Sequence, residues 1–223
     1  MGNGTNTSSN VPVDVVGVTG ATQISAGANH TCAVVAGGAA KCWGSNFAGS
    51  LGDGTTTGYS SVPVGVVGVT GATQISAGSG HSCAVVAGGA VKCWGCNALG
   101  ELGNGTTSTW ESGSNVPVDV VGVSGATQIS AGGRHTCALV AGGAAKCWGS
   151  NFGELGDGTY NPSSVPVDVV GVTGATKISA GGVHSCALVS GGAVKCWGWN
   201  GYGQLGDGTY YESNVPVDVL AGA

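Results

Sequence analysis

The sequence contains little charge of either sign and very little positive charge. Only 8% of its 223 residues are charged, and six Lys and Arg stand against eleven Asp and Glu, which gives a formal net charge of −5. Proteins that bind nucleic acid or an anionic membrane present a basic patch, so we expect neither partner. No apolar run reaches the roughly 18 residues that a membrane-spanning helix requires, and the sequence therefore predicts no membrane span.

Large side chains are also scarce. The chain has one Met, two Phe and 6% aromatic residues, whereas Gly occupies 46 positions. A Gly in a helix interior costs about 1 kcal/mol relative to Ala. The composition therefore favours short, closely packed strands joined by tight turns over long helices.

What the sequence does contain is one cassette in four near-identical copies. It reads H-[ST]-C-A-[VL]-V-x-G-G-A-[AV]-K-C-W-G-x-N and is followed by L-G-[DN]-G-T, V-P-V-[DG]-V and G-A-T-[QK]-I-S-A-G. The first cysteines of successive cassettes are 51, 54 and 49 residues apart. Repeats of this length are typical of propellers and solenoids, in which each unit buries its apolar face against the next.

We therefore interpret residues 1–223 as a single repeat array. The repeats cover approximately residues 2–51, 52–102, 103–155 and 156–205, with a partial fifth unit at 206–223. The first residues match Gly206–Thr209 and do not resemble a signal peptide. Four copies of the hairpin stand against five copies of V-P-V, which predicts a section of a longer array, or a chain with open edge strands.

Each cassette predicts a β-hairpin whose two cysteines face each other. His30–Val35 alternates as a strand does, and residues 36–38 can form a three-residue loop with Gly at the bulge position. If Val35 faces Ala39, Cys32 lies opposite Cys42 at a non-hydrogen-bonded site, within reach of a disulfide. The same register predicts four disulfides in all: Cys32–Cys42, Cys83–Cys93, Cys137–Cys147 and Cys186–Cys196.

Two alternatives to the disulfides stay open at this stage. The cysteines can be buried free thiols, since Cys is among the most buried residue types. A metal would use His30, Cys32 and Cys42, but structural zinc takes four ligands and no fourth one repeats on that face. We expect no metal and no cofactor. Paired cysteines would place the protein in an oxidising, extracellular compartment.

Cys96 is the one cysteine of the nine that this pattern leaves unpaired. It occupies the position of Ser45, Ser150 and Trp199 in the other copies. An unpaired Cys in a secreted chain can link two chains or remain a free thiol, and a chance replacement of Ser at a tolerant loop position is the simpler interpretation.

The histidines and tryptophans of the cassette recur four times, and this favours a structural role. A catalytic histidine is expected once, beside a unique partner, and the departures from the repeat are scattered on loops; we therefore predict no catalytic residues and no enzyme. We expect each imidazole N–H to bond a neighbouring loop carbonyl and each indole to pack in the core. These structural residues are His30, His81, His135, His184, Trp43, Trp94, Trp148 and Trp197.

The loops between repeats carry aromatic residues that could form a contact surface. Aromatic side chains are enriched at binding hot spots, although loops also vary without function. The candidates are Tyr59, Trp110, Tyr160, Tyr202, Tyr210 and Tyr211.

The cassette resembles the repeat of the regulator of chromosome condensation family. The last copy matches that pattern at Gly181, His184, Trp197, Gly198, Asn200, Gly203, Leu205 and Gly206, and the other copies match nearly as fully. The resemblance implies an all-β fold of β-propeller repeats, with one blade of four short antiparallel strands per repeat of about 50 residues. Members that close a ring use about seven blades, within the range known for propellers, so four blades predict an incomplete, open propeller.

The resemblance leaves the function open. The founding eukaryotic member is a guanine-nucleotide exchange factor, but no motif here carries that activity over, and it is the most distant of our hypotheses. The paired cysteines look like those of secreted bacterial relatives, one of which inhibits β-lactamase. We favour a non-enzymatic extracellular scaffold that binds a protein partner, or assembles into a surface layer or filament through open edge strands. A glycan-binding adhesion module is the alternative.

Overall fold

The computed structural model describes residues 1–56 and 58–220. These form sixteen β-strands in four separate four-stranded antiparallel sheets, with single 3-10 turns at Phe47–Gly49 and Ala87–Gly89. None of the described residues lies in a helix long and apolar enough to cross a membrane. The prediction of an all-β fold built from four four-stranded units is confirmed.

We call the four sheets blades 1 to 4 in chain order. Blade 1 consists of β1 (Gln23–Ala26), β2 (His30–Val35), β3 (Ala39–Ser45) and β4 (Tyr59–Gly65). Blade 2 consists of β5 (Ala72–Ala77), β6 (His81–Val86), β7 (Val91–Cys96) and β8 (Gly113–Asp119). Blade 3 consists of β9 (Ala126–Ala131), β10 (His135–Val140), β11 (Ala144–Gly149) and β12 (Ser163–Asp168). Blade 4 consists of β13 (Ala175–Ala180), β14 (His184–Val189), β15 (Val194–Gly198) and β16 (Ser213–Asp218).

The register of the central hairpin is the one that the sequence predicts. In blade 1, Val35 pairs with Ala39 and Cys32 with Cys42. Gly37 and Gly38, in the connecting loop, have φ values of 83° and 76°, a region that L-residues with a side chain rarely adopt. The G-G of the cassette therefore makes the tight turn that fixes the register of the cysteines.

The V-P-V segment forms the outer strand of the blade that precedes it in the chain. β4 pairs with β3, so each blade combines the second half of one sequence repeat with the start of the next. The first V-P-V copy, at residues 10–15, forms no strand. Residues 1–22 instead lie against blade 1, where Gly4 N donates to Ser61 O at 2.9 Å.

The apolar core lies between neighbouring blades rather than within a blade. Three clusters of buried residues fill the three spaces between successive blades, each joining Cys and Val side chains of one blade to Ile, Ala and Trp side chains of the next. Ile75 is 5% exposed in such a space, whereas its counterpart Ile24 on the outer face of blade 1 is 67% exposed. The blades thus stack face to face, and the stack is not closed into a ring.

Candidate functional site

At one end of the blades lie the residues that precede each cassette histidine and those that follow each Cys-Trp-Gly. Backbone hydrogen bonds join them in pairs: Ser45 N donates to Asn29 O at 2.8 Å, and the same bond links Cys96 to Gly80, Ser150 to Arg134 and Trp199 to Val183. We call this end the loop face. It also carries the long connections between the third and fourth strands of each blade, which are the most variable parts of the repeat.

Repeated polar side chains hold these long connections in place. Asn46 Oδ1 accepts from Leu51 N at 3.0 Å, and its amide donates to Thr55 O at 3.2 Å. Asp53 Oδ1 accepts from the backbone N and the hydroxyl of Thr55, which is a local turn stabilised by an Asp side chain. The L-G-[DN]-G-T motif is therefore a turn, and the loop face rests on a fixed framework.

The cassette histidines join one blade to the next. His30 Nε2 lies 2.8 Å from Ser82 Oγ in blade 2. Ser82 donates its hydroxyl to Ser50 O at 3.1 Å, and the indole of Trp94 donates to the same carbonyl at 3.0 Å. Because the hydroxyl hydrogen is used on the carbonyl, the hydroxyl accepts from the imidazole, and the Nε2–H tautomer of His30 follows.

The same four-group relay occurs at the other two interfaces between blades. It comprises His81, Thr136, Trp148 and the carbonyl of Glu101 between blades 2 and 3, and His135, Ser185, Trp197 and the carbonyl of Glu154 between blades 3 and 4. The prediction that each imidazole bonds a loop carbonyl is wrong. The partner is a hydroxyl on the next blade, because stacking brings the Ser or Thr that follows the next histidine against the ring.

The relay histidines are neutral. Burial lowers the pKa of His30 to about 4 and, with a smaller contribution from neighbouring histidines, lowers the pKa of His81 and His135 to about 3. His135 Nδ1 has no hydrogen-bond partner among the described residues, as expected for the unprotonated nitrogen of an Nε2–H imidazole packed on glycine. Near neutral pH these rings are therefore uncharged, and they hold hydrogen bonds to the next blade.

All four predicted disulfides are present, with S–S distances from 2.09 to 2.13 Å. Each joins the two central strands of a blade, and the first three lie in the apolar layers between neighbouring blades. No group of three or more His, Cys, Asp or Glu side chains in the described part of the chain is arranged to hold a metal ion.

The two ends of the stack lack a complete relay. Trp43 in blade 1 is covered by the N-terminal segment, so closely that a Cβ on Gly2 would lie 2.8 Å from Trp43 Nε1. In blade 4, His184 is half-buried and has no hydroxyl partner among the described residues; burial lowers its pKa as well. All eight predicted structural residues thus lie at blade faces, six of them in complete relays.

Residues that depart from the repeat converge in a cleft of about 430 Å³ on the loop face, where blades 1, 2 and 3 meet. Phe47 comes from blade 1, Cys96 and Trp110 from blade 2, and Arg134 from blade 3. The sequence analysis describes the departures from the repeat as scattered on loops, and for these four residues the structure shows otherwise. Blade stacking brings together positions that are far apart in the chain. We call this site the central cleft.

Arg134 and Trp110 form the rim of the central cleft. The guanidinium carbon of Arg134, the chain's sole arginine, lies 4.1 Å from the centre of the Trp110 ring, a distance typical of a cation–π contact. Glu111 lies beside Trp110 on the rim, and Glu101 lies below it, 1% exposed. Burial raises the pKa of Glu101, whose Oε2 accepts from Leu99 N at 2.8 Å.

Cys96 is a free thiol that is 7% exposed and lines the central cleft. Its Sγ donates to Trp110 O at 3.9 Å, a weak contact. Burial raises its pKa, so the thiol is protonated at neutral pH. His81 also lines the cleft, but its Nε2 is bound to Thr136 and its pKa is about 3, so no Cys–His nucleophile is formed.

A second, smaller cleft of about 330 Å³ lies on the loop face between blades 3 and 4. Phe152, Val183 and Trp199 line it, and its walls are almost entirely apolar. Trp199 is held edge-on against Tyr202, with ring centres 5.1 Å apart. We call it the apolar cleft.

The six aromatic residues that the sequence analysis singled out are all exposed, from 50% for Tyr160 to 85% for Tyr202. The structure does not bring them together. Trp110 lines the central cleft, Tyr59 borders a groove against the N-terminal segment, and Tyr202 and Tyr210 line a cleft at the end of blade 4. Sequence reasoning missed Arg134, Phe47, Phe152, Val183 and Trp199 as candidates. An alignment of the four copies at the positions before His and after Cys-Trp-Gly would have shown them.

These features define an open stack of β-propeller blades with a cleft at one end. The chain matches the regulator of chromosome condensation (RCC1) repeat at residues 1–34, 42–85, 89–139, 147–188 and 192–222. A second description of the same repeat matches residues 21–50, 72–101, 126–153 and 175–204. The protein belongs to the RCC1 repeat family.

Related proteins match only part of this fold. The chain is 34% identical over 142 residues, 62% of its length, to the human probable E3 ubiquitin-protein ligase HERC3, of which it covers 13%. It is 34% identical over 140 residues, 60% of its length, to the ultraviolet-B receptor UVR8 of Arabidopsis thaliana, of which it covers 31%. The chain thus spans less than a third of the length of these relatives.

Solved structures confirm the propeller architecture. Human WBSCR16 superposes with a TM-score of 0.79 at 26% identity over 90% of this chain and 53% of its own. Prp20p of Saccharomyces cerevisiae, a protein described with its binding to Gsp1p and histones, superposes with a TM-score of 0.78 at 20% identity over 90% of this chain and 50% of its own.

Proposed function

We propose that this protein is a non-enzymatic, extracellular repeat scaffold that binds a protein partner on its loop face. RCC1-like repeats suggest a protein-binding scaffold. The proposal depends on the different locations of repeated and non-repeated residues. Repeated residues are used at the blade interfaces, whereas Phe47, Cys96, Trp110 and Arg134, which depart from the repeat, meet in one cleft. Trp and Arg are the residue types most enriched at binding hot spots.

Four disulfides support the extracellular part of the proposal. Structural disulfides persist in oxidising compartments and are rare in reducing ones. Each bridge here closes a loop with a sequence separation of 10, for which the chain-entropy estimate is about 2–3 kcal/mol. The bridges therefore add to the stability of blades whose apolar contacts lie mainly with their neighbours.

The absence of enzymatic activity is supported by the state of the titratable groups. The relay histidines are buried, neutral and hydrogen-bonded to hydroxyls on the next blade. The carboxylates of Glu101 and Glu154 accept backbone N–H groups of their own loops. Each of these groups therefore forms a hydrogen bond that stabilises the fold.

The test begins with the selection of peptides that bind the wild-type protein from a random displayed library. The affinity of these peptides is then measured for a repeat-restored variant, in which loop-face residues are replaced by those of sister repeats. The variant is Cys96→Ser, Arg134→Asn, Trp199→Ser, which uses the residues found at the same positions in Ser45, Asn29 and Ser150. We expect the selected peptides to lose binding while the variant melts within a few degrees of wild type. Peptides that bind both proteins equally would refute the loop face as the binding site.

A second proposal concerns self-association, for which the outer faces of the terminal blades provide the observation. Ile24 is 67% exposed on blade 1, and His184 on blade 4 lacks the hydroxyl that completes the other relays. The outer strands themselves are poor pairing edges, because Pro lacks the backbone N–H that a paired strand donates. Each outer strand carries one Pro in its middle: Pro63, Pro117, Pro166 and Pro216. We therefore propose that two copies associate through blade faces rather than through open edge strands.

Sedimentation equilibrium over a range of protein concentrations tests this association. Ile24→Asn should shift the mass toward the monomer, whereas Val170→Asn, at a position that is 50% exposed away from the end faces, should not. A wild-type protein that is monomeric at high concentration would refute the proposal.

Glycan binding is kept as a second candidate because Tyr202 and Tyr210 line an open cleft beside Gly203 and Gly206. Exposed tyrosine rings can stack on the apolar face of a sugar. Binding to a glycan array that Tyr210→Ser abolishes, and that Trp110→Ser leaves intact, would favour this function at blade 4.

A further inference from the structure

Arg134 and Lys177 are the two positively charged side chains that form no ion pair or hydrogen bond with a described residue, and of these two only Arg134 lines a cleft. Lys92, Lys146 and Lys195 each form an ion pair with the Asp of an outer strand, at 2.6 to 2.7 Å. The ammonium group of Lys41 donates to Gly17 O. Arg134 is exposed on the rim of the central cleft and forms no ion pair with any described residue.

The stacked position of Arg134 leaves its hydrogen-bond donors free. A guanidinium that stacks on an aromatic ring uses its flat face, whereas its five N–H donors point outward in the plane of the group. The stack also restricts the rotation of the long side chain, so less conformational entropy is lost when a ligand binds. The planar fork matches a carboxylate in a bidentate geometry.

Among the described residues, neither nearby acidic side chain forms an ion pair with Arg134, although burial raises the pKa of Glu101 and the charge of Arg134 opposes that rise. Glu101 lies below Trp110, is almost fully buried and accepts a hydrogen bond from Leu99 N. Glu111 is exposed on the rim, beside Trp110. The guanidinium of Arg134 is therefore available to a carboxylate of a ligand.

The apolar cleft adjoins the loop that carries Arg134, because Gly133 packs so closely on the loop of Val183 that an added Cβ would clash with Gly182 O. Ser150 N donates to Arg134 O at 2.9 Å, and Phe152, two residues further along the chain, forms one wall of the apolar cleft. Phe152 is 63% exposed and Val183 36% exposed, so a ligand side chain can cover both. The loop face thus presents a fixed guanidinium next to an unfilled apolar surface.

We infer that the loop face recognises a peptide segment of its partner that carries a carboxylate for Arg134 and, next to it, a large apolar side chain for the cleft formed by Phe152, Val183 and Trp199. This inference rests on the proposed function and specifies its chemistry. The net charge of −5 gives no long-range attraction for an acidic partner, so the recognition is local and depends on Arg134.

The test uses peptides selected from the random library, synthesised in two forms: as selected, and with each Asp or Glu replaced by Asn or Gln. Their affinity is measured by fluorescence anisotropy for wild type, Arg134→Asn, Trp199→Ser and Lys177→Gln. The last variant is the matched control, because it also removes one exposed positive charge and restores the Gln that the other blades have at Gln23, Gln74 and Gln128.

We expect the selected peptides to contain an acidic residue at a fixed spacing from an aromatic or aliphatic one. Arg134→Asn should weaken binding about tenfold, as is usual for a charge-assisted hydrogen bond, and Lys177→Gln by less than twofold. The amide peptides should bind wild type as weakly as the acidic peptides bind Arg134→Asn. Raising the salt from roughly 0.05 to 0.5 M should weaken only the acidic peptides, because salt screens exposed charges.

Two other outcomes are informative in different ways. If the peptides lose binding on the repeat-restored variant but bind Arg134→Asn and wild type equally, the carboxylate inference is overturned and the loop-face function stands. If no selected peptide is sensitive to the repeat-restored variant, both are overturned.

Discussion

The blade interfaces and the loop face are built on the same strands, but they use different kinds of residue. At the interfaces, the same His, Ser or Thr, Trp and disulfide recur, and the distance from His Nε2 to the hydroxyl varies only between 2.8 and 2.9 Å. On the loop face, equivalent positions hold Asn29, Gly80, Arg134 and Val183. The comparison shows that the repeated residues hold the blades together. Residues that differ between repeats are concentrated on the loop face, where the contacts between blades do not depend on them.

The comparison also explains why the interface residues are so uniform. Each relay takes groups from two blades, and a change in one blade leaves a buried polar group of the other without a partner, which costs about 1–3 kcal/mol. A loop-face residue such as Arg134 or Trp199 has water on one side. Its replacement leaves no buried group unsatisfied.

The largest expected effect is a difference in the free energy of unfolding between variants at the blade interfaces and variants on the loop face. Trp148→Ala removes a fully buried indole and its hydrogen bond to Glu101 O, and it should lower the free energy of unfolding by about 3–5 kcal/mol. Trp110→Ala, on the loop face, should change it by about 0.5 kcal/mol or less. Chemical denaturation of both variants measures the difference, and equal losses would remove the distinction between the regions.

The pH dependence of stability should come from the interfaces. Above pH 6.5 the histidines are neutral in both states. As the pH falls below 6.5, the unfolded chain takes up protons that folded His135, with a pKa of about 3, does not. The free energy of unfolding therefore falls by about 1.4 kcal/mol per pH unit for each such histidine, down to about pH 3.

Paired variants isolate this effect. Denaturation at pH 7, 6 and 5 should show a shallower pH dependence for His135→Gln than for wild type, and little change for His184→Gln, at the half-buried end of the stack. Burial raises the pKa of Glu101 and Glu154. Their effect on the pH dependence of the free energy of unfolding is therefore opposite to that of the histidines, and it is the same in wild type and in both variants. Identical slopes for His135→Gln and wild type would argue against neutral relay histidines.

Reduction of the disulfides should distinguish internal from terminal blade faces. Cys83 and Cys93 are fully buried between two blades, whereas Cys186 is partly exposed on blade 4. We expect Cys186–Cys196 to be reduced about tenfold faster under native conditions, because it opens without separating two blades. Timed alkylation followed by mass spectrometry gives the order, and simultaneous loss of all four bonds would indicate that the end face is covered.

The smallest expected effect is that of loop-face variants on stability. Arg134→Asn and Cys96→Ser introduce residues that sister repeats carry at the same positions, so they should change the melting temperature by no more than about two degrees. A thermal melt followed by circular dichroism is sufficient. A drop as large as that of Trp148→Ala would mean that the central cleft is part of the framework.

Local features of the fold could be predicted from the sequence, because they depend on short-range geometry. The G-G turn and the alternation of the strands fix the register, and the register places Cys32 opposite Cys42. The partners of the histidines could not be predicted. His30 contacts Ser82, a residue 52 positions away, and only the stacking of one blade on another brings the two together.

The central cleft could not be predicted for the same reason. Phe47, Cys96, Trp110 and Arg134 belong to three different blades, and no single repeat contains the information that their loops meet. The sequence did contain a usable signal, since Arg134 is the chain's sole arginine and replaces small or neutral residues at the same position in the other copies. That signal becomes meaningful once the positions are seen to lie on one end of the stack.

The most direct test of the loop face as the binding site is hydrogen–deuterium exchange of the full chain with and without the tightest selected peptide. The account predicts slower exchange in the peptide segments that cover residues 96–112, 132–135, 150–153, 182–184 and 198–200, with no change in the outer strands β4, β8, β12 and β16. Protection confined to the outer strands, or to the exposed face of blade 4, would contradict it.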